Sequence, residues 1–116
     1  MINRAALIFR LKQPMVDWIN SVHTSATAGP VTLERANSEN TVYLISDDDV
    51  EVADEWLKLN FEAVFASELE AWYTDTSLWP SPLTLERFLQ WFEMECHSMV
   101  FDTVGEAIIE DGEGVS

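Results

Sequence analysis

Residues 5–12 alternate, with Leu7, Phe9 and Leu11 on one side and Ile8 between them on the other, which predicts an opening strand. The period then changes. Gln13-Pro14 places the proline in a first helical turn, where its missing N–H costs least, and Met15, Trp18, Ile19 and Val22 follow at helical spacing. His23 falls near the end of this helix, where its cationic form would interact favourably with the helix dipole. Beyond it the apolar period fades. Residues 24–30 are small and turn-forming, ending in Gly29 and Pro30, and residues 31–36 fit a brief helix or a brief strand.

Residues 41–46 are β-branched and aromatic between polar flanks, the mark of a second strand, and their pattern predicts that both faces are at least partly covered. Residues 50–73 carry Ala53, Leu57, Phe61, Val64, Phe65, Leu69 and Trp72 on one helical stripe. Unbroken, such a helix spans roughly 36 Å at ~1.5 Å per residue, and Asn60 is the place for a break. Pro80 and Pro82 make residues 74–83 an interhelical loop. A third helix fits residues 84–92, capped by Thr84, with Leu85, Phe88, Leu89 and Phe92 as its inner face. Residues 96–104 read as a final strand. The order β-α-β-α-α-β predicts an α+β fold, a small three-stranded sheet with helices packed mainly on one face. The first two strands can pair parallel or antiparallel, since the connection between them is long.

Residues 1–104 are expected to form a single domain, and residues 105–116, with three glycines and four acids, a flexible acidic tail to which Ala107, Ile108 and Ile109 add an apolar attachment point. The composition is 47% hydrophobic with five tryptophans, which argues against disorder for the rest. No apolar run approaches the ~20 residues of a membrane-spanning helix. The start of the chain, with Arg4 before a short apolar stretch, has neither the length nor the cleavage site of a secretory signal, so a cytoplasmic setting is expected. The single cysteine, Cys96, agrees with a reducing compartment and excludes a cysteine-rich zinc site.

Charge narrows the partners. Twenty-one acidic residues against six basic ones give a formal charge of −15, which opposes direct contact with nucleic acid or anionic lipid. Ten of the acids lie in residues 47–75, where Lys58 is the one base. Such a surface serves solubility, and it also suits a basic protein or peptide. Mimicry of nucleic acid is a further option that needs an ordered spacing of carboxylates.

Candidate chemistry is sparse. Asp47, Asp48 and Asp49 are three hard carboxylates at a strand end and weak candidates for Mg²⁺ or Ca²⁺, but they lack the alternating ligands and turn glycine of an EF-hand; helix capping is their ordinary use. Cys96 and His97 are adjacent, and on a strand they point to opposite faces, so a buried structural cysteine and a strand histidine are expected rather than a catalytic dyad. With only two histidines, a three-histidine metal site is excluded. No glycine-rich phosphate loop, nucleophile elbow or His-Glu-x-x-His helix occurs, and no cofactor is implied.

The richest stretch for recognition runs from Glu68 to Pro80. Trp72, Tyr73 and Trp79 beside Glu70 and Asp75 would make an aromatic, acidic ledge for a basic peptide or a cation, unless the rings complete the core. The opening Met1-Ile2-Asn3-Arg4-Ala5-Ala6-Leu7-Ile8, then Pro14-Met15-Val16-Asp17-Trp18, Trp72-Tyr73-Thr74-Asp75 and Leu78-Trp79-Pro80, resemble short uncharacterised bacterial proteins. That resemblance implies a bacterial cytosolic setting and brings no activity or site residue with it. The expected function is therefore a non-enzymatic binding module for a basic protein or peptide. Homodimerisation through a sheet edge is a competing form of interaction. A small metal-dependent or cysteine-dependent enzyme is the alternative.

Overall fold

The computed structural model describes residues 1–22 and 29–110. Its centre is β1 (Arg4–Leu11), in which Ala5, Leu7, Phe9 and Leu11 are buried while Ala6 and Ile8 on the other face are half-covered. Strict alternation thus gives a sheet with one face towards the core. β2 (Val42–Ser46) and β3 (Phe92–His97) flank β1 on either side, both antiparallel, in the order β2-β1-β3. The fold is α+β, as the pattern predicts.

Antiparallel pairing of β1 with β2 follows from the path between them. α1 (Gln13–Val22) leaves β1 through a tight junction and buries Met15, Val16 and Ile19. The short α2 (Leu33–Ala36) then brings the chain back to the end of β1 where α1 began. There the Leu11 N–H donates to Asn37 Oδ1 at 2.9 Å, and Asn37 Nδ2 donates to the Leu11 carbonyl at 3.0 Å. The Asn37 amide stands in for a strand partner just beyond the last β1–β2 pair, Ile8 with Val42. A strand entered from that end runs opposite to β1.

β2 departs from expectation on its outer face. Ile45 is buried and Tyr43 half-buried towards the core, but Val42 and Leu44 are 53% and 51% exposed. The helices bury their apolar residues in the cluster that holds Leu7 and Phe9, which leaves the other face of β2 half-exposed. Ser46 ends the strand and caps a 3-10 turn, Asp47–Val52, by accepting from the Asp48 N–H at 3.3 Å. Capping therefore falls to Ser46, and Asp47, Asp48 and Asp49 occupy the first turn that it caps.

α3 (Ala53–Glu70) is continuous through Asn60 and shorter than its apolar stripe predicts, since Trp72 and Tyr73 lie past its end. At ~1.5 Å per residue it spans about 27 Å. Ala53, Leu57, Val64, Phe65 and Leu69 face the core as expected. α4 (Leu85–Trp91) is capped by Thr84, whose Oγ1 accepts from the Arg87 N–H at 3.1 Å. Its inner face is Phe88 with Leu85 and Trp91, whereas Leu89 is 48% exposed.

The last strand starts earlier than residues 96–104. Phe92 takes extended backbone immediately after the helix, and Phe92-Glu93-Met94-Glu95 already alternates. Residues 98–104 form no strand, although the Ile2 N–H still donates to the Val100 carbonyl at 2.8 Å. Residues 105–110 are exposed and carry no helix or strand, and the rest of the acidic tail lies outside the described residues. Phe9, Phe65, Phe88 and Phe92 form the centre of the core, with Phe88 stacked on Phe92 at 4.8 Å and Phe9 edge-on to Phe88 at 5.3 Å.

A buried carboxylate and an acidic cleft beside Trp72

The apolar stripe of α3 contains one carboxylate. Glu68 follows Val64 by four residues and Phe65 by three, so the helix carries it to the core side, where it is 7% exposed. β2 supplies its partner. Tyr43 points the same way as its neighbour in register, Leu7, and its hydroxyl donates to Glu68 Oε2 at 2.7 Å and lies 3.0 Å from Ser67 Oγ.

No base among the described residues pairs with this carboxylate. The ion-pair contacts there are Lys58 with Glu55 at 3.1 Å and, when the imidazole is protonated, His97 with Glu95 at 3.4 Å, both exposed pairs. Loss of water pushes the Glu68 carboxyl above its ordinary range, an effect only partly offset by the Tyr43 hydroxyl. Burial likewise raises the Tyr43 phenol, and the Glu68 carboxylate adds to that rise.

Glu68 lines a cleft of about 210 Å³ between the end of α3 and the link from α2 to β2. Leu11, Ala36 and Ala71 give it apolar surface, Trp72 forms a wall, and Glu39, Asn40 and Thr41 supply polar groups. The link is held in place from below: Asn40 Nδ2 donates to Asn37 Oδ1 at 3.1 Å, and Asn37 is itself fixed to Leu11. Trp72 is 36% exposed, and its other side borders a wider depression containing Thr32, Glu34 and Arg35. Chemically, the cleft presents negative charge, one aromatic face and short apolar walls.

The residues of the predicted ledge separate here. Trp72 is exposed at the cleft and Glu70 lies exposed at the end of α3. Tyr73 turns towards α1, and Trp79 folds back on the loop itself. The Tyr73 hydroxyl donates to the Ile19 carbonyl at 2.8 Å, its ring meets Trp18 edge-on at 5.4 Å, and Trp79 Nε1 donates to the Tyr73 carbonyl at 2.8 Å. Asp75 caps the 3-10 turn Thr76–Leu78, accepting from the Ser77 hydroxyl at 2.6 Å and the Ser77 N–H at 3.0 Å, which holds its carboxyl below the usual range. Tyr73 thus fastens the loop to α1, helped by Trp18 Nε1, which donates to the Leu78 carbonyl at 3.1 Å, while Trp79 braces the loop from within.

The remaining candidates do not come together. Among the described residues no three His, Cys, Asp or Glu side chains converge as metal ligands, the triple aspartate included. Cys96 is exposed and not buried as its residue type suggests: it lies opposite Leu7, but near the end of β3, beyond the cover of the helices. His97, on the opposite face, lies in register with Ala6. His23 is outside the described residues.

Glu68 opens the stretch that the sequence marks for recognition, but its burial on the core side of α3 is not among the sequence expectations. The signal was present, because a carboxylate interrupts an otherwise apolar stripe at the spacing of Val64, Phe65 and Leu69. Comparison of the chain with protein-family models, with curated proteins and with solved structures finds no match.

Proposed function

We propose that this protein is a non-enzymatic interaction module that engages a basic protein or peptide through the acidic surface of α3 and the cleft beside Trp72. The observation that carries this reading is Glu68, a carboxyl taken out of water in an already acidic chain with no base paired to it among the described residues. An uncompensated buried carboxylate is unfavourable in the isolated molecule, and a cation from outside supplies what the fold omits. Around it the α3 surface is poor in bases, and Lys58 is already spent on Glu55. The exposed thiol of Cys96 suits a reducing, cytoplasmic setting.

The test is association of the whole chain with a peptide of mixed lysine and arginine, titrated at rising salt. Binding is expected at low ionic strength and weakens steadily as salt screens the surface. No binding at low salt, or binding indifferent to salt, refutes the reading. A second copy of the chain is the other partner favoured by a specific observation, the exposed Val42 and Leu44 on the uncovered face of β2.

A further inference from the structure

Resting on the reading of an acidic module for basic partners, we propose that the cleft between Glu68 and Trp72 is a socket for one primary alkylammonium group, the side chain of a partner lysine, in preference to arginine. Size comes first. A cleft of about 210 Å³ is below the roughly 300 Å³ at which sites for whole small molecules begin, and it suits a single extended side chain.

The acceptor geometry then selects the cation. Glu68 Oε2 already accepts from the Tyr43 hydroxyl, which leaves Oε1 as the oxygen without a partner among the described residues. A guanidinium binds best as a fork on two parallel oxygens, whereas an ammonium needs one strong acceptor and can turn its other two N–H groups to whatever lies nearby. Glu39 at the rim adds a second negative charge. Asn40 commits an amide N–H to Asn37, so its carbonyl oxygen is the end still able to accept.

The walls match the stem. Leu11, Ala36 and Ala71 offer short apolar surface to a methylene chain, and the Trp72 ring offers a face to the cation as it enters. An ammonium seated here also holds Glu68 ionised, because it supplies the opposite charge that burial denies the carboxyl.

The experiment measures binding of full-length protein to hexalysine, to hexaarginine and to hexalysine acetylated on its side chains. Hexalysine is expected to bind at least fivefold tighter than hexaarginine, and acetylation is expected to abolish binding. Glu68→Gln should weaken hexalysine by about tenfold and erase the preference, while Glu62→Gln, outside the cleft, weakens both peptides alike. Amide and indole NMR shifts of the unaltered protein give a readout independent of any variant: hexalysine should move the signals of Trp72, Ala36 and Ala71. Equal binding of the two peptides that survives Glu68→Gln, or shifts that spare these residues, overturns the socket and leaves the acidic-surface reading standing. Absence of binding by either peptide at low salt overturns both.

Discussion

Asn37 and Leu11, 26 positions apart, pair as two strand residues would, the side-chain amide of one giving and taking hydrogen bonds at 2.9 and 3.0 Å with the backbone of the other. Asn37→Ala leaves a partly buried N–H and C=O of Leu11 without partners and frees the link that carries Glu39 and Asn40. A loss of about 2 kcal/mol is expected in denaturant unfolding. Asn37→Asp keeps the acceptor and loses the donor, so it should fall between the two. A loss within ~0.5 kcal/mol for Asn37→Ala would show that the pairing contributes little.

Glu68 makes stability depend on pH in an unusual direction for a carboxylate. Its carboxyl is raised in the folded state, so the native protein holds the proton more tightly than the unfolded chain. The stabilisation from protonated Glu68 is complete below the unfolded carboxylate range and is lost as pH rises through the folded value. The group facing it is Tyr43, whose hydroxyl also contacts Ser67, with Glu39 sharing the cleft. Glu68→Gln should therefore be more stable than the unaltered protein at pH 7, with the advantage shrinking as the pH falls towards 4. Thermal melts of the two proteins across that range isolate the effect from the other carboxylates, which both share. A constant difference with pH would contradict it.

Leu44 separates self-association from folding. Because it is 51% exposed on the uncovered sheet face, Leu44→Lys should alter unfolding free energy by no more than ~0.5 kcal/mol. If a second copy docks on this face, light scattering will show mass doubling with concentration in the unaltered protein and monomer mass in the variant. Monomer mass throughout removes that partner.

Cys96 should react with an aromatic disulfide reagent in the native protein nearly as fast as in the unfolded chain, since its residue is exposed on β3. Cys96→Ser should change stability by no more than ~0.5 kcal/mol. Protection of the native thiol by an order of magnitude or more would place it inside the core.

What the sequence revealed depended on whether the signal was local. Alternation in β1, the proline at the start of α1 and the Thr84 cap each act within a few residues, and each was legible. The antiparallel turn of β2 was not, because it depends on Asn37 finding Leu11 across the intervening helices. The half-exposed face of β2 was missed for a related reason: Val42 and Leu44 have the residue types of buried strand positions, and only the packing of the helices into the cluster that holds Leu7 and Phe9 exposes them. Trp72 and Glu70 are both exposed, but only Trp72 lines the cleft, and the pairing of Glu68 with Tyr43 joins two elements whose neighbours a linear pattern does not specify. Tyr73 and Trp79 have the same side-chain chemistry in either role, and their hydrogen bonds to backbone carbonyls settle where they point.

The junction of α4 and β3 has no loop at all: Trp91 is the last helical residue and Phe92 the first of the strand. Lys12 N–H donates to the Trp91 carbonyl at 2.8 Å, so the joint is also tied to the far end of β1. Helix and strand therefore behave as one bent lever with no slack at its elbow. One residue inserted there would carry Glu93 and Glu95 to the side now occupied by Phe92 and Met94, while a pull on this edge strand would be felt first at the stacked rings of Phe88 and Phe92.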